Sequence, residues 1–165
     1  MERGVAAAGT ATFFAAAPGV VAGVVPWALT GWHEGDPGAP VPARVAGWAL
    51  VVAGTAVLVA AFVRFAREGR GTPAPVAPTE VLVVGGLYRY VRNPMYLAVL
   101  SVVAGQALVL WRPVLVAYGA ALAVAFVAFV LGYEEPTLRR RYGAGYDRYR
   151  AAVPGWWPRL RPWTP

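Results

Sequence analysis

Four long stretches of the chain contain no Asp, Glu, Lys or Arg and consist mainly of Ala, Val, Leu and Gly. Their flanking charges are Arg3 and Glu34, Arg44 and Arg64, Arg92 and Arg112, and Arg112 and Glu134. The shortest stretches contain 19 residues. A helix of that length extends about 28 Å, close to the roughly 30 Å hydrocarbon core of a bilayer. The pattern therefore predicts an all-α integral membrane protein with four transmembrane helices.

A single membrane domain accounts for residues 1–165. We predict two leading transmembrane helices, a cytoplasmic loop, a transmembrane hairpin and a cytoplasmic C-terminal segment at residues 1–65, 66–92, 93–133 and 134–165. The first apolar stretch exceeds the roughly 7 to 15 apolar residues of a secretory signal, so we interpret it as a retained span. In the loop, the apolar run Val81–Val84 is too short to span a bilayer and predicts an extended or re-entrant piece at the interface.

The C-terminal segment has a mixed pattern. Its apolar and aromatic side chains recur at helical spacing, at Leu138, Tyr142, Tyr146, Tyr149 and Val153. Arginines mostly occupy the other faces, so the segment predicts an interfacial amphipathic helix. The tryptophans that follow fit the aromatic belt at a membrane surface; they are Trp156, Trp157 and Trp163.

Composition and charge support the membrane interpretation. Charged residues make up 14% of the chain, against about 25% in soluble domains, which excludes a soluble enzyme, a disordered chain and a collagen-like chain. The net charge of +7 comes from 15 arginines and no lysine. With four spans, 13 arginines lie on one side of the membrane and only Arg44 and Arg112 on the other. The positive-inside rule then predicts that both termini are cytoplasmic. Because the charge flanks the spans, we predict no nucleic-acid partner.

Metal ligands are scarce in this sequence. The chain has no Cys and one His, His33, so we predict no metal site and interpret His33 as structural. A GxxxG pattern at Gly19 and Gly23 would permit close helix packing. The pattern is a weak signal in a chain so rich in Gly and Ala, and it leaves the oligomeric state open.

The first polar cluster near membrane depth is GGLYRYVRNPMY at 85–96, just before the third span. Asn93 suits a helix N-cap and Pro94 the first helical position, so the unpaired N–H groups of this span should face the cytoplasm. Arg89 and Arg92 stand just outside the helix start, and together these donors suit a carboxylate or phosphate. The alternative is an ordinary capped membrane helix flanked by arginines.

Glu134 and Glu135 form the second cluster, directly after the fourth span. Carboxylates at a helix C-terminus oppose the helix dipole and need partners. We predict an i, i+4 pair between Glu135 and Arg139, and for Glu134 a partner among the arginines of the first cluster or a bound cation. In the alternative interpretation, Pro136 begins a tail helix and both acids lie at its N-terminus, where the dipole favours them.

A hairpin of the last two spans brings both clusters to the same cytoplasmic end, where we expect them to line one pocket with several tyrosines, namely Tyr88, Tyr90, Tyr96 and Tyr133. Three blocks of sequence there are YRYVRNPMY at 88–96, EEPTL at 134–138 and YGAGYDRYRAAVP at 142–154. Together they resemble the C-terminal signature of the isoprenylcysteine carboxyl methyltransferase and phospholipid methyltransferase-like family. The resemblance covers roughly residues 85–158 and keeps the order of the blocks.

This resemblance implies an integral membrane methyltransferase that binds S-adenosylmethionine at the cytoplasmic ends of its last two spans, under the C-terminal segment. The implied cofactor-binding residues are Gly86, Leu87, Tyr88, Arg89, Arg92, Asn93, Pro94, Tyr96, Glu134 and Glu135. Arg92 and the helix start would suit the methionine carboxylate, the glutamates the amino group or ribose hydroxyls, and the tyrosines the adenine or sulfonium.

Two positions depart from the family pattern. Asn93 stands where the family usually has His, and Ala98 stands where it often has Gly. Because Asn cannot titrate, an acid–base role at that position is lost, whereas an orienting hydrogen bond is kept.

The methyl acceptor is only loosely defined by the sequence. Two plain leading spans suggest a hydrophobic or amphiphilic molecule that arrives from the bilayer, methylated on a carboxylate, a thiol or a lipid headgroup. No residue stands out as a general base, which favours a thiol or carboxylate over an amine. Two other classes stay open: a nicotinamide-dependent membrane reductase of the sterol-reductase type and a non-enzymatic membrane scaffold.

Overall fold

The structure is a computed structural model that describes residues 16–35, 37–68 and 82–164. These residues form helices and no strand; the helices are α1 (Ala16–Thr30), α2 (Val41–Glu68), α3 (Pro94–Leu110), α4 (Pro113–Tyr142) and α5 (Ala144–Ala152). A 3-10 turn, Gly86–Arg89, precedes α3. The start of the predicted first span and residues 69–81 of the predicted loop at 66–92 lie outside the described residues.

α3 and α4 form the predicted hairpin. Each begins with a proline, Pro94 or Pro113, at a position where a backbone N–H would have no helical partner. Trp111 ends α3 in the left-handed conformation, with φ 52°, and its N–H donates to the carbonyl of Ala107. Because only two residues connect the helices, residues at the start of α3 lie at the same end of the molecule as residues near the end of α4.

Two helices in the described part of the chain are long and apolar enough to cross a bilayer, at Val41–Arg64 in α2 and Pro113–Tyr142 in α4, while α1 and α3 are shorter apolar helices. Many of their side chains are exposed, and the exposed fractions of Val52, Val116 and Val124 are 66%, 63% and 71%. Long apolar helices with exposed valines are typical of a surface that faces lipid. The fold is therefore that of a helical membrane protein, and the four-span topology stays a prediction.

Glycines allow α2 and α3 to pack closely. A Cβ atom on Gly47 would lie 2.7 Å from the carbonyl oxygen of Gly105, and one on Gly105 would lie 2.6 Å from the carbonyl oxygen of Gly47. Small residues permit such close approaches in many membrane helix pairs. In contrast, no described neighbour comes within 4 Å of a Cβ on Gly19 or Gly23. Their GxxxG pattern therefore takes no part in packing within this region of the chain.

α1 and α4 each contain a π-helical stretch, Val20–Val24 and Val130–Glu134. In both helices a proline, Pro26 or Pro136, follows after one more residue. In a regular α-helix the proline ring clashes with the carbonyl group four residues earlier and supplies no N–H. The wider π-helical turn accommodates the ring while the helix continues.

α4 continues through the paired glutamates. The backbone angles of Glu134 (φ −69°, ψ −52°) and Glu135 (φ −59°, ψ −46°) are helical, and the helix ends only at Tyr142. The alternative in which Pro136 begins a separate tail helix is therefore not observed.

The π-helical stretch of α1 takes from the carbonyls of Val21 and Ala22 the donors that a regular α-helix would supply, because the N–H of Val25 bonds to Val20 and Pro26 has no N–H. Tyr118 of α4 donates its hydroxyl to the Val21 carbonyl, and Gln106 of α3 donates its amide to the Ala22 carbonyl, each at 2.7 Å. Because a bilayer core offers no water to these carbonyls, the two bonds tie α1 to the hairpin.

The C-terminal segment forms two helical pieces instead of the single predicted helix. Gly143, with φ 50° and ψ −130°, separates α4 from α5 in a conformation that favours glycine. The apolar face of α5 is covered by protein, since Tyr146, Tyr149 and Val153 are 2%, 3% and 0% exposed and cluster with Val83. Protein, not lipid, therefore covers this face, and the interfacial placement of α5 and of the run that contains Val83 stays a prediction.

Two of the three tail tryptophans also contact protein. Trp156 lies beside Tyr96, with ring centroids 6.3 Å apart, and Trp163 lies beside Tyr149 at 5.4 Å. Trp157 is 79% exposed and is the one tail tryptophan that keeps the position expected of an interfacial anchor.

Candidate functional site

A buried ion pair joins the start of α3 to the C-terminal part of α4. Arg92 donates from Nη1 to Glu135 Oε1 at 2.5 Å and to the Tyr146 hydroxyl at 3.1 Å, and from Nε to the Val153 carbonyl at 2.9 Å. Arg150 Nε lies 3.0 Å from the other oxygen, Glu135 Oε2. Both oxygens of this carboxylate are thus paired, as a buried charge requires.

Arg139 and Arg89 have other partners than those predicted from the sequence. Arg139 forms its ion pair with Asp147 at 2.7 Å instead of with Glu135, because the Arg139 side chain is 59% exposed whereas that of Glu135 is 10% exposed and points inward. Arg89 donates from Nε to the Trp163 carbonyl at 2.6 Å. Arg89 therefore holds the tail and does not join Arg92 in an anion site.

Glu134 accepts a hydrogen bond from the Tyr96 hydroxyl, at 2.7 Å to Oε2. The sequence predicted an arginine or a bound cation as the partner of Glu134, and the observed partner is the Tyr96 phenol. The Tyr96 ring lies against Phe126, with centroids 4.8 Å apart. The described residues contain no group of three or more His, Asp or Glu side chains that could hold a metal ion.

Asn93 occupies the N-cap position of α3, but its side chain does not cap the helix. The residue is 7% exposed, and its amide nitrogen Nδ2 is buried without a hydrogen-bond partner among the described residues. A Cβ on Gly155 would lie 3.4 Å from this nitrogen, so glycine lets the tail pass close to it. A buried donor without a partner costs roughly 1 to 3 kcal/mol, which makes the amide a candidate contact for a ligand.

Two cavities meet at these residues. One has a volume of about 170 Å³ and the other about 70 Å³. Both are lined by Tyr88, Arg92, Asn93 and Glu134. Even together they are smaller than the roughly 300 Å³ of a typical ligand pocket, so a ligand of cofactor size would have to occupy both and move some of the lining side chains aside.

The larger cavity extends away from the polar residues between α1, α2, α3 and α4. Its apolar wall includes Val21 of α1, Leu58 and Phe62 of α2, Val99 of α3 and Phe126 of α4. One end of the cavity therefore suits polar groups and the other an apolar group.

Seven of the ten predicted site residues line these cavities: Tyr88, Arg92, Asn93, Pro94, Tyr96, Glu134 and Glu135. The other three line neither in the described part of the chain. Gly86 lies against Arg64, and Leu87 lines a separate depression between α2 and α3. Arg89 bonds to the tail.

The smaller cavity also has a wall that sequence analysis missed, formed by Tyr146 and Tyr149 of α5. The Tyr149 hydroxyl donates to the Tyr88 carbonyl at 2.6 Å. Burial raises the pKa of the Tyr88 and Tyr149 phenols, so both stay neutral at physiological pH. The periodic tyrosines of the tail were the available signal, and the prediction assigned them to the membrane surface.

Comparison with known proteins gives one match. The family model described as phospholipid methyltransferase matches residues 42–145, which is more than half of the chain and includes α2, α3 and α4. No curated protein and no solved structure matches the chain. This match confirms the predicted resemblance. The chain belongs to the phospholipid methyltransferase family of membrane methyltransferases.

Proposed function

We propose that the protein transfers a methyl group from S-adenosylmethionine to a hydrophobic or amphiphilic acceptor in the two cavities at the start of α3. The observation that carries this proposal is the buried amide of Asn93, which has no hydrogen-bond partner among the described residues, beside the Glu134–Tyr96 hydrogen bond. A donor and an acceptor of hydrogen bonds thus converge on a space with an apolar extension, and such a combination suits a polar cofactor and a lipid-like acceptor.

The residues of the site fit the chemical groups of this cofactor. Asn93 and the N–H groups that open α3 would suit the carboxylate, and Glu134 would suit the amino group or the ribose hydroxyls. Arg92 is less suitable for the carboxylate than the sequence suggested, because it already bonds to Glu135. When bound, S-adenosylmethionine would supply an electrophilic methyl group on its sulfonium.

The protein's own contribution is mainly to position the reactants and exclude water. The apolar wall of the larger cavity would hold the hydrophobic part of an acceptor and keep water out. Asn93 cannot take up a proton, and Glu134 is the carboxylate that lines this cavity. A thiolate or carboxylate acceptor would need no base, whereas an amine would release a proton that Glu134 is placed to accept.

Calorimetric titration of the detergent-purified protein with S-adenosylhomocysteine tests the cofactor site before the acceptor is known. We expect saturable binding that weakens at least tenfold in Glu134→Gln. Glu34→Gln is a matched control, because Glu34 is exposed in the loop between α1 and α2 and pairs with Arg44 of α2. Binding of NADPH alone would indicate a reductase, and binding of neither ligand by folded protein would contradict the proposal.

The acceptor class is tested with S-adenosylmethionine labelled in its methyl group. A prenylcysteine, a phospholipid, a long-chain carboxylic acid and a small thiol are offered separately, and the labelled product is extracted. We expect transfer to an amphiphile and none to the small thiol. Transfer to the small thiol alone would contradict a role for the apolar wall.

A further inference from the structure

A second concave surface lies on the outer side of the Glu135 ion pair, between the end of α4 and α5. It has a volume of about 440 Å³. Three guanidinium groups line it, those of Arg139, Arg140 and Arg150, together with Leu131. Glu135 separates this basic concavity from the smaller cavity of the proposed methyl-transfer site, since it lines both.

The three arginines keep many N–H donors for a ligand. Arg139 and Arg150 use Nε for their carboxylate partners, and their side chains are 59% and 42% exposed. Arg140 contacts Thr137 Oγ1 through Nη2. Each guanidinium has five N–H donors in a planar fork, so the remaining edges suit the oxygens of a phosphate group.

The local charge also favours an anion. The acidic side chains at the concavity, Glu135 and Asp147, are each already paired with an arginine. Glu135 pairs in addition with Arg92 on its inner side. The three guanidiniums of the concavity therefore face two carboxylates, one of which is also neutralised by Arg92, and the concavity has an excess of positive charge.

The position of the concavity selects a phosphate that is attached to a lipid. Leu131 lines it and is 54% exposed. The preceding part of α4 exposes further apolar side chains, including Val124 and Val127. The concavity thus lies where the apolar surface of α4 gives way to its arginines, and an amphiphile can contact both surfaces. A free phosphate ion could use only the arginines.

We propose that this basic concavity binds the phosphate group of an anionic glycerophospholipid, whose acyl chains lie along the exposed apolar surface of α4. The site is separate from the proposed methyl-transfer site and serves as a membrane contact that fixes the end of α4 and α5. Arg148 is also exposed on α5 but does not line the concavity. The concavity is therefore formed by particular arginines and not by every exposed arginine of this region.

Native mass spectrometry of the detergent-solubilised protein can count bound lipids and measure their affinity. The probes are a phosphatidylglycerol and a phosphatidylcholine of equal chain length, and inorganic phosphate. The test variant is Arg139→Gln/Arg140→Gln. The matched control, Arg148→Gln/Arg161→Gln, removes the same charge from exposed positions outside the concavity.

We expect phosphatidylglycerol to bind more tightly than phosphatidylcholine, and to bind roughly 30-fold more weakly to the test variant, since each arginine near a membrane contributes a factor of about five. The control should retain its affinity within about twofold. Equal losses in both variants, or no loss in either, would show nonspecific attraction and overturn the proposal. Binding of inorganic phosphate in place of the lipid would also overturn it.

Folding is checked in the same samples through the melting temperature and S-adenosylhomocysteine binding. If the double variant unfolds, Arg140→Gln alone replaces it, because Arg140 contacts only the exposed Thr137 hydroxyl among the described residues. A failure of lipid binding with S-adenosylhomocysteine binding intact would reject the lipid site and leave the methyltransferase proposal standing.

Discussion

Neighbouring residues in the site differ in how completely their polar atoms are paired. Arg92 and Glu135 bond to each other and to further partners on α5 and the tail. Asn93 has a buried amide nitrogen without a partner in the described structure, and Glu134 bonds to Tyr96 through one of its two oxygens. We infer that the first pair stabilises the fold and that the second pair is available to a ligand.

Asn93→Leu tests this division at one residue. The substitution removes a buried amide that has no partner among the described residues. We therefore expect an unchanged or higher melting temperature, with a free energy of unfolding that rises by at most about 3 kcal/mol. Binding of S-adenosylhomocysteine should weaken at least tenfold in calorimetry. Gln106→Leu serves as the control, because its amide is bonded to Ala22: it should lower the melting temperature and leave binding intact. A strongly destabilised Asn93→Leu protein would contradict the assignment.

Glu135→Gln should have the opposite consequence. The change leaves Arg92, whose side chain is 13% exposed, without its carboxylate, and breaking a buried pair costs about 3 to 5 kcal/mol. We therefore expect a marked fall in the melting temperature. Glu134→Gln should change it little, because the amide oxygen can still accept from Tyr96. Equal melting temperatures for the two variants would show that Glu135 does not have this structural role.

At the scale of elements, the transmembrane-type helices in the described part of the chain contain two π-helical stretches, each just before a proline. The π-helical stretch in α1 leaves two carbonyls for side chains of α3 and α4. The stretch in α4 follows the apolar part of that helix and ends at Glu134. Glu134 and the next residue, Glu135, both line the site. The first stretch therefore joins α1 to its neighbouring helices, and the second joins the apolar part of α4 to the site.

A double-mutant cycle between Pro26 and Gln106 tests the role of the first stretch. In the natural sequence, Gln106→Leu leaves the Ala22 carbonyl unpaired, and we expect a loss of about 0.6 to 1.7 kcal/mol in the free energy of unfolding. Pro26→Ala supplies a new backbone N–H that can donate to this carbonyl. In the Pro26→Ala background, Gln106→Leu should therefore cost less than half as much. Equal costs in both backgrounds would refute the proposed link.

The packing of α2 on α3 predicts a steric effect at Gly105. A Cβ there would lie 2.6 Å from the Gly47 carbonyl oxygen and 2.9 Å from the Val51 nitrogen, so Gly105→Ala should cost about 1 to 3 kcal/mol by overpacking. Gly119→Ala is the control, since the nearest atom, Cγ1 of Val103, is 3.4 Å away. Thermal unfolding in detergent measures both variants, and a neutral Gly105→Ala would argue against this close contact.

At the scale of the whole molecule, the predicted orientation can be tested because the chain has no natural cysteine. His33→Cys and Arg161→Cys place single thiols at exposed positions beyond α1 and in the tail. In inverted membrane vesicles, a membrane-impermeant maleimide should label Arg161→Cys at once and His33→Cys only after permeabilisation. The reverse pattern would invert the topology, and labelling of both at once would exclude the four-span arrangement.

The sequence predicted local features well and long-range partners poorly. The spacing of the charges and the prolines at 94 and 113 were enough to predict the α3–α4 hairpin. The ion pair of Glu135 was predicted wrongly, because Arg92 lies 43 residues away and the nearby Arg139 turns outward. For α5, periodicity indicated an apolar face without indicating whether lipid or protein covers it. The tyrosines on that face contact residues near 88, and no local pattern reveals such a contact.

The fastening of the tail to the start of α3 has a consequence for how the protein is made. The N–H groups of Arg92 and Asn93 donate to the carbonyls of Pro154 and Gly155, and Trp163 bonds to Arg89. A ribosome that adds about 5 to 20 residues per second needs on the order of ten seconds to travel from Arg89 to Trp163. During this interval the start of α3 lacks the backbone carbonyls that the tail supplies to Arg92 and Asn93. Because Tyr146 and Tyr149 line the smaller cavity, its wall is complete only after the tail has been made, and completion of the site is one of the last events of biogenesis.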